Sequence, residues 1–408
     1  MLKISYIIKN INKVITDLKN RKFKNLKILN NLLLLYKKNK KYKIKFDKIS
    51  IIINNFSKNF LKINNKVNLL KFRKIKKIKK KYNKIINNNN IIINKILLLI
   101  PNILNKIYYK KIKKNIIYKY IGKNKNKDYI KYYNHIELSK TNDIFDIIKS
   151  SEISGSGFVI YHGIGLKIYN ALVNYFLDYN NKHGYKEYIV PYLVNKNSLY
   201  GTGQLPDKND QLYKITNNDL YLIPTGEVPL INIYKNKIFN INDLPIKSQT
   251  YTHCYRKEAG SYGKKVRGLN RVHEFGKVEI IEIVDKNRSN KRFKYMLNHI
   301  KNLLKSLGLL FRIKILYSKD LPNTSSITYD FEVFLLGQKI WLEVSSLSNC
   351  LDYQSNNLNI KYRYNNKLYF CHTLNASSLS LPRVLAAIIE YYQYNKIIKI
   401  PKILIPYC

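Results

Sequence analysis

In a chain that drifts to lysine and asparagine, the segment Tyr255–Glu279, YRKEAGSYGKKVRGLNRVHEFGKVE, places arginine at three points, Arg256, Arg267 and Arg271. A guanidinium presents a planar fork of donors that matches a carboxylate or phosphate in bidentate fashion, which a lysine ammonium does not. Its use where lysine is the default points to bidentate recognition of an anion. Glu258, His273, Phe275 and Glu279 share the segment. A strand, a loop carrying Gly260, Gly263 and Gly268, and a returning strand would set Arg256 and Glu279 on neighbouring strands of one sheet. An ordinary basic hairpin is the bland alternative, and the surrounding sequence weighs against it.

Four further stretches flank this one. Gly157–Asn195 reads as a long helix and then a strand containing Pro191; Leu199–Pro206 is LYGTGQLP, Pro224–Leu230 is PTGEVPL, and Leu379–Glu390 is LSLPRVLAAIIE. Taken together, Tyr255–Glu279 resembles motif 2 of the class II aminoacyl-tRNA synthetases in its seryl-tRNA synthetase form. Gly157–Asn195 resembles motif 1, the LYGTGQLP and PTGEVPL stretches resemble the substrate loops, and Leu379–Glu390 resembles motif 3. The likeness runs with few gaps from about residue 155 to Cys408. Upstream it holds in length and place, through Ile100-Pro101-Asn102, and hardly in residues.

The resemblance implies an ATP-dependent serine–tRNA ligase, which forms seryl-adenylate and passes serine to the 3′ end of tRNA(Ser). It implies catalytic roles for Arg256, bridging the serine carboxylate and the ATP α-phosphate, and for Arg383, clamping the γ-phosphate with help from Arg271. Glu258 would accept from the adenine amino group and Phe275 would stack on the purine, with Lys257, Val344 and Ser345 completing the ATP site. Glu343 and Ser346 would hold Mg²⁺, oxygen ligands suited to a hard cation. Serine would be bound by Thr225, Gly226, Glu227, Arg256, Glu279, Asn375 and Ser377; which carboxylate takes the ammonium and which the hydroxyl stays open. The serine carboxylate is already ionised at neutral pH, so no general base is needed, and catalysis would rest on positioning and charge stabilisation.

Four positions depart from the family pattern. Gly226 stands between Thr225 and Glu227 where Ala or Ser is usual, which adds backbone freedom beside the serine site. Glu274 replaces a Gln in the His-Gln-Phe element, Ile327 precedes Thr328-Tyr329-Asp330 where Lys is common, and Asn375-Ala376-Ser377 varies Asn-Gly-Ser. None removes a reacting group. A threonyl or prolyl relative is the rival enzyme reading; against it stand the lack of a zinc-ligand pattern and the 18 residues after Glu390, too few for an anticodon-binding domain. A synthetase-like RNA-binding protein without catalysis is the rival from another class, and the presence of Arg256, Glu258, Glu343 and Arg383 together argues against it. His162, His183, His253, His273 and His372 lack metal-ligand spacing and read as packing or hydrogen-bonding residues.

The elements that must carry these residues differ between the two ends of the chain. Before Gly122 there is no glycine, and the only proline is Pro101, which predicts long helices. Leu26, Leu29, Leu33 and Tyr36 follow coiled-coil spacing, as do Phe60, Ile63, Val67 and Leu70, and Ile85, Ile92, Ile96 and Leu99 with Asn89 at the missing position. Two helices turning near Asn54–Asn65 and closed by Pro101 would form an antiparallel hairpin; Phe72, Ile75 and Ile78 would pack while the lysines of Lys71–Lys81 face out. Beyond Gly155 the pattern changes to a helix at Leu166–Tyr179, a turn at His183-Gly184-Tyr185, and strand-like runs at Glu187–Val194, Leu220–Ile223, Val278–Val284, Phe311–Leu316, Asp330–Leu335 and Ile340–Ser345. With no Gly-rich phosphate loop after a first strand, the fold class is α+β: an antiparallel sheet flanked by helices, preceded by a helical-hairpin, coiled-coil arm. The expected domains are residues 1–102 for the arm, 103–150 for a linker and 151–408 for the catalytic domain. The resemblance implies that the arm grips the long variable arm of tRNA(Ser), and that motif 1 builds a homodimer.

The formal charge of +49 fits a polyanion partner, and it fits equally an AT-rich genome that favours Lys, Asn, Ile and Tyr codons. Its distribution is uneven, with 40 Lys and Arg against 6 Asp and Glu in residues 1–150, and 34 against 19 in the rest. Cys254, Cys350, Cys371 and Cys408 show no C-x-x-C pair and read as reduced thiols. Apolar runs such as Ile91–Ile100 fall short of the roughly 20 residues that span a bilayer, so no membrane segment is expected. The basic N-terminus lacks a secretory core and cleavage site, and the family's leading residues align from Met1, which favours a bacterial cytoplasm over an organelle.

Overall fold

The structure, a computed structural model, describes residues 1–58, 66–110, 114–122, 131–207, 209–258 and 268–408. The chain divides into two compact units, Leu2–Ile100, and Pro101–Cys408 together with Met1. No helix among the described residues is long and apolar enough to cross a membrane.

In the unit Leu2–Ile100 the shortage of helix breakers produces α1 (Ile4–Lys9), α2 (Ile11–Asn20), α3 (Lys27–Lys58) and α4 (Lys66–Leu99). The last two form an antiparallel pair: Asn39 meets Asn90, Tyr42 meets Tyr82 and Phe56 meets Phe72, rising numbers against falling ones. Pro101, with no N–H to continue the helix, follows α4. The seam drifts from the expected one. Leu32 is buried more deeply than Leu33, Ile93 is buried where Ile92 is exposed, and Ile78 and Leu70 face solvent. A straight helix has 3.6 residues per turn, so a seam read with a strict 3.5-residue repeat walks off the contact face within a few turns. Asn39 lies in that seam and bonds across to Asn90 and Asn89, a polar layer that favours one register. α3 ends at Lys58 and α4 begins at Lys66, so the helices break within the expected Asn54–Asn65 interval; residues 59–65, with Phe60 and Ile63, and the Val67 side chain lie outside the described residues.

The second unit is organised by an eight-stranded sheet. Its strands are β1 (Ile116–Ile121), β2 (Lys186–Glu187), β3 (Ile246–Tyr255), β4 (Glu274–Val284), β5 (Phe311–Ile315), β6 (Ile327–Leu335), β7 (Ile340–Asn349) and β8 (His372–Ser380). Their spatial order is β1-β5-β6-β7-β8-β4-β3-β2, antiparallel at every pairing except β2 with β3. The expected antiparallel α+β architecture is therefore present. Residues 103–150, expected as a linker, instead belong to this unit: IIYKYI forms the edge strand β1 on β5, and α5 (His135–Ser139) starts at a capping box of Asn134 and Glu137. The β-branched and aromatic residues of β1 suit a strand, but lysine-rich flanks hid it.

One sheet face carries the core. Val278 and Ile280 of β4, Leu374 and Ala376 of β8 and Phe331 and Val333 of β6 meet α6 (Gly163–Lys182), α8 (Ser289–Ser306) and α10 (Leu381–Tyr391). In α6, Ile168, Leu172 and Tyr175 recur at the spacing that lines one helix face, and the helix ends before Gly184, whose φ of 81° is a left-handed stop. Pro191, expected inside a strand, falls in the irregular stretch between β2 and the short strand Leu193–Asn195, since a proline has no N–H for a ladder.

Candidate active site

Side-chain alternation sends every second residue of a strand to the face opposite the core. On β4 those are Phe275, Lys277 and Glu279, and on β8 Asn375 and Ser377. Two bulges extend the set. The β6–β7 register passes from Phe331 opposite Ser345 to Glu332 opposite Glu343, so Val344 is the extra residue, and Glu343 and Ser346, three apart, come to share a face. Between Ser377 and Ser380 a second shift returns Ser380 to the same side and leaves Leu379 at φ 75°, a strained conformation for a leucine. Together these residues line a cleft of about 1020 Å³. Of the expected site residues, Thr225, Glu227, Arg256, Glu258, Arg271, Phe275, Glu279, Glu343, Val344, Ser345, Ser346, Asn375, Ser377 and Arg383 line it; Gly226 and Lys257 do not.

One end of the cleft is a buried acid–base cluster. Thr225 donates to Glu279 at 3.2 Å and accepts from Lys277 Nζ at 2.9 Å and from the Glu227 N–H at 3.3 Å. Lys277 also forms an ion pair with Glu279. Gln354 of α9 (Tyr353–Leu358) donates to Glu227 at 2.6 Å and is itself fixed by Thr373 and the Thr202 carbonyl. Burial, and then the nearby Glu279, push the Glu227 carboxyl up to about 7. Burial also raises Glu279, with Lys277 pulling the other way. Two carboxylates near one another and out of water thus lie close to taking up a proton.

Arg256 lines the same cleft, fixed to the residue that precedes Thr225. Its Nε donates to the Pro224 carbonyl at 3.1 Å, and its guanidinium lies 5.3 Å from the Phe275 ring centroid. Glu258, at a left-handed φ of 49°, pairs with Arg271. Arg267 and the rest of residues 259–267 lie outside the described residues. Lys257 points elsewhere, to Asp210 at 2.8 Å. Arg383 enters in the first turn of α10, after Pro382; its Nε donates to the Asn270 carbonyl at 2.9 Å and Nη1 to the Glu343 carbonyl at 2.8 Å. Burial lowers its pKa, with Glu343 opposing.

The Asn270 carbonyl is itself anchored from the supposed linker. His135 of α5 accepts from the Leu269 N–H through Nε2 at 3.0 Å and meets Glu390 at Nδ1 at 2.8 Å. The same Glu390 accepts from the Gly337 N–H and from the backbone and side chain of Gln338. That contact set holds His135 as the Nδ1–H tautomer, with Nε2 as acceptor.

Glu343 and Ser346 offer a carboxylate and a hydroxyl on one face, the hard donors a Mg²⁺ ion takes. Burial, and then Glu343, push the neighbouring Asp330 up to about 8, against Lys314. Among the described residues no cluster of His, Cys, Asp and Glu has a metal-binding arrangement of its own.

Residues 212–392 match the profile of the tRNA synthetase class II core domain (G, H, P, S and T). The serine–tRNA ligase of Desulforapulum autotrophicum is 43% identical over 277 residues, 67% of this chain and 65% of that protein. That of Wigglesworthia glossinidia brevipalpis is 43% identical over 358 residues, 84% of this chain and 81% of the relative. The chain belongs to the seryl-tRNA synthetase family. The solved seryl-tRNA synthetase of Pyrococcus horikoshii, in complex with ATP, superposes with a TM-score of 0.90 at 27% identity, covering 100% of this chain and 98% of that one. The match to Desulforapulum autotrophicum spans about two thirds of that relative's length.

As seen in this seryl-tRNA synthetase family member, the four departures have local explanations. Gly226 has φ −62°, an ordinary helical value, so it supplies space and not backbone freedom: a Cβ would come within 2.9 Å of the Thr250 methyl and 3.0 Å of the Thr252 hydroxyl. Glu274 turns away from the cleft to His253 at 2.9 Å and Tyr255 at 3.2 Å. Ile327 and Ala376 are buried in the core. The histidines find hydrogen-bond partners in His162–Asp143, His183–Tyr179, His253–Glu274 and His273–Tyr213, and His372 is buried. Lys277, Gln354, Asn270 and His135 were not anticipated. Alternation from Phe275 and Glu279 would have found Lys277; no sequence pattern marks the others, because long-range contacts bring them in.

Proposed function

We propose that this protein is a serine–tRNA ligase, carrying out serine activation with ATP and then transfer to the 3′ end of tRNA(Ser). The observation that carries the reading is the cleft's polarity: a small acid-lined pocket at Thr225, Glu227 and Glu279 opens past Arg256 onto a wall of arginine and Phe275. An amino acid fits the first part and a nucleoside triphosphate the second.

In the reaction, Glu227 and Glu279 receive the serine ammonium and hydroxyl, with Asn375 and Ser377 at the pocket wall. Arg256 faces both the serine carboxylate and the α-phosphate, so two anions that repel in water are held at attacking distance. The carboxylate oxygen attacks the α-phosphorus and pyrophosphate leaves, its developing charge met by Arg383 and Arg271. Phe275 stacks on the adenine and Glu258 accepts from its amino group. Glu343 and Ser346 would hold Mg²⁺, whose charge would offset that of the triphosphate. In the second step the terminal ribose hydroxyl of tRNA attacks the adenylate carbonyl and AMP departs.

The α3–α4 pair is the tRNA-binding arm. Its outward lysines in Lys71–Lys81 suit backbone contacts to RNA shape. The protein acts as a homodimer: Ile189, Ile153 and Ile148 are 98%, 75% and 71% exposed, apolar surface that pairing of two copies would cover. Its place is the cytoplasm, in keeping with four free cysteines, three of them buried. Serine-dependent ATP–pyrophosphate exchange, followed by charging of tRNA(Ser), tests the reading; exchange with threonine or proline in place of serine would replace it.

A further inference from the structure

We propose that Lys277 is a positioning and specificity residue that sets the amino-acid pocket at one net negative charge, the complement of a substrate with a single ammonium group. The inference rests on the serine reading above. Glu227 from α7 (Glu227–Asn232) and Glu279 from β4 bring two carboxylates into the pocket, and Lys277, also from β4, brings one ammonium. Arg256, after β3, also pulls Glu279 down from across the cleft, but its charge is the one the substrate carboxylate answers, so it stands outside this count. Among the described residues the other titratable neighbours are thiols: Cys254 on β3 and Cys350 after β7 are buried, and burial raises both, so they stay neutral. The remaining polar walls, Asn375 and Ser377 of β8 and Gln354, carry no charge.

The geometry shows what Lys277 does with its charge. Its Nζ reaches both Glu279 and the Thr225 hydroxyl, which lies between Glu279 and the N–H of Glu227. It therefore orients the threonine as a donor to Glu279 and keeps Glu279 anionic beside a second buried acid. Glu227, with no cation in hydrogen-bond contact among the described residues, is left to be completed by the incoming ammonium. Without Lys277, the two buried carboxylates would have no cation in hydrogen-bond contact among the described residues, and the pocket would take up a proton in its place. Serine would then have to displace that proton.

The test compares Lys277→Met, Lys277→Gln and Lys277→Arg with the unaltered protein in serine-dependent ATP–pyrophosphate exchange across pH. Both neutral variants should lose about tenfold or more in kcat/KM for serine at neutral pH, the worth of a charge-assisted contact, while the KM for ATP holds. The sign of the pH effect follows from proton uptake: the acid limb of kcat/KM for serine moves to higher pH, so the deficit narrows towards about pH 9. Lys277→Arg, which keeps the charge, should keep the acid limb in place. A deficit equal at all pH values, or an unshifted acid limb in both neutral variants, would overturn the proposal and leave Lys277 a packing residue. Loss of the ATP KM in the same variants would overturn it too. Absence of serine-dependent exchange in the unaltered protein is a separate result, which removes the serine reading itself.

Discussion

Arg256 and Arg383 are the two residues to which the proposed reading assigns the chemistry, and both are held by backbone carbonyls and not by partners that substrate would have to displace. Arg256→Ala and Arg383→Ala should each lower adenylate formation by roughly 10²–10³, the usual worth of one preorganised charge contact in a transition state. The melting temperature should stay near that of the unaltered protein, because neither side chain fills the core; near-normal exchange in either variant would remove that residue from the mechanism. Most of the residues that line the cleft were named from the sequence because their types are unusual for the composition, arginine among lysines. Lys277 was not, since one lysine in a lysine-rich chain carries no signal until strand alternation places it beside Glu279. Gly226 was misread for a related reason: the residue type suggests backbone freedom, while its φ and its neighbours show a need for room.

The elements show a parallel division between what pattern reveals and what packing decides. The long strands follow from alternating apolar runs, and α6 and α10 from helical spacing and the Pro382 start. The bulge at Val344, which brings Glu343 and Ser346 to one face, has no sequence mark; it exists only in the pairing of β7 with β6. Nor could the sequence show that α5 holds the Asn270 turn through His135, a contact between residues far apart in the chain. In the arm, the 3.5-residue repeat found the helices and missed the seam by one position. Deleting residues 25–99 should spare serine activation and abolish tRNA charging, since the acid pocket and arginine wall lie wholly in the other unit. In the intact protein tRNA affinity should fall steeply with salt while the serine KM moves little, because counterion release accompanies a polyanion and hardly a zwitterion. Charging that survives the deletion, or a flat salt dependence, would return the arm's charge to codon bias.

At the scale of the whole molecule the uneven charge and the exposed isoleucines suit the two partners proposed above, tRNA and a second copy of the chain. Light scattering at micromolar concentration should give twice the chain mass of 48.3 kDa; a monomer mass would contradict the dimer. The central claim is narrower, that the acid pocket beside Arg256 accepts serine for activation by ATP. Its most direct measurement is ATP–pyrophosphate exchange with purified protein and each amino acid offered singly, without tRNA. Exchange should depend on serine and stay near background with threonine and proline. Threonine should be the less excluded of the two, because its added methyl meets only a steric limit. Exchange that serine does not stimulate, or that another amino acid stimulates more strongly, would contradict the account.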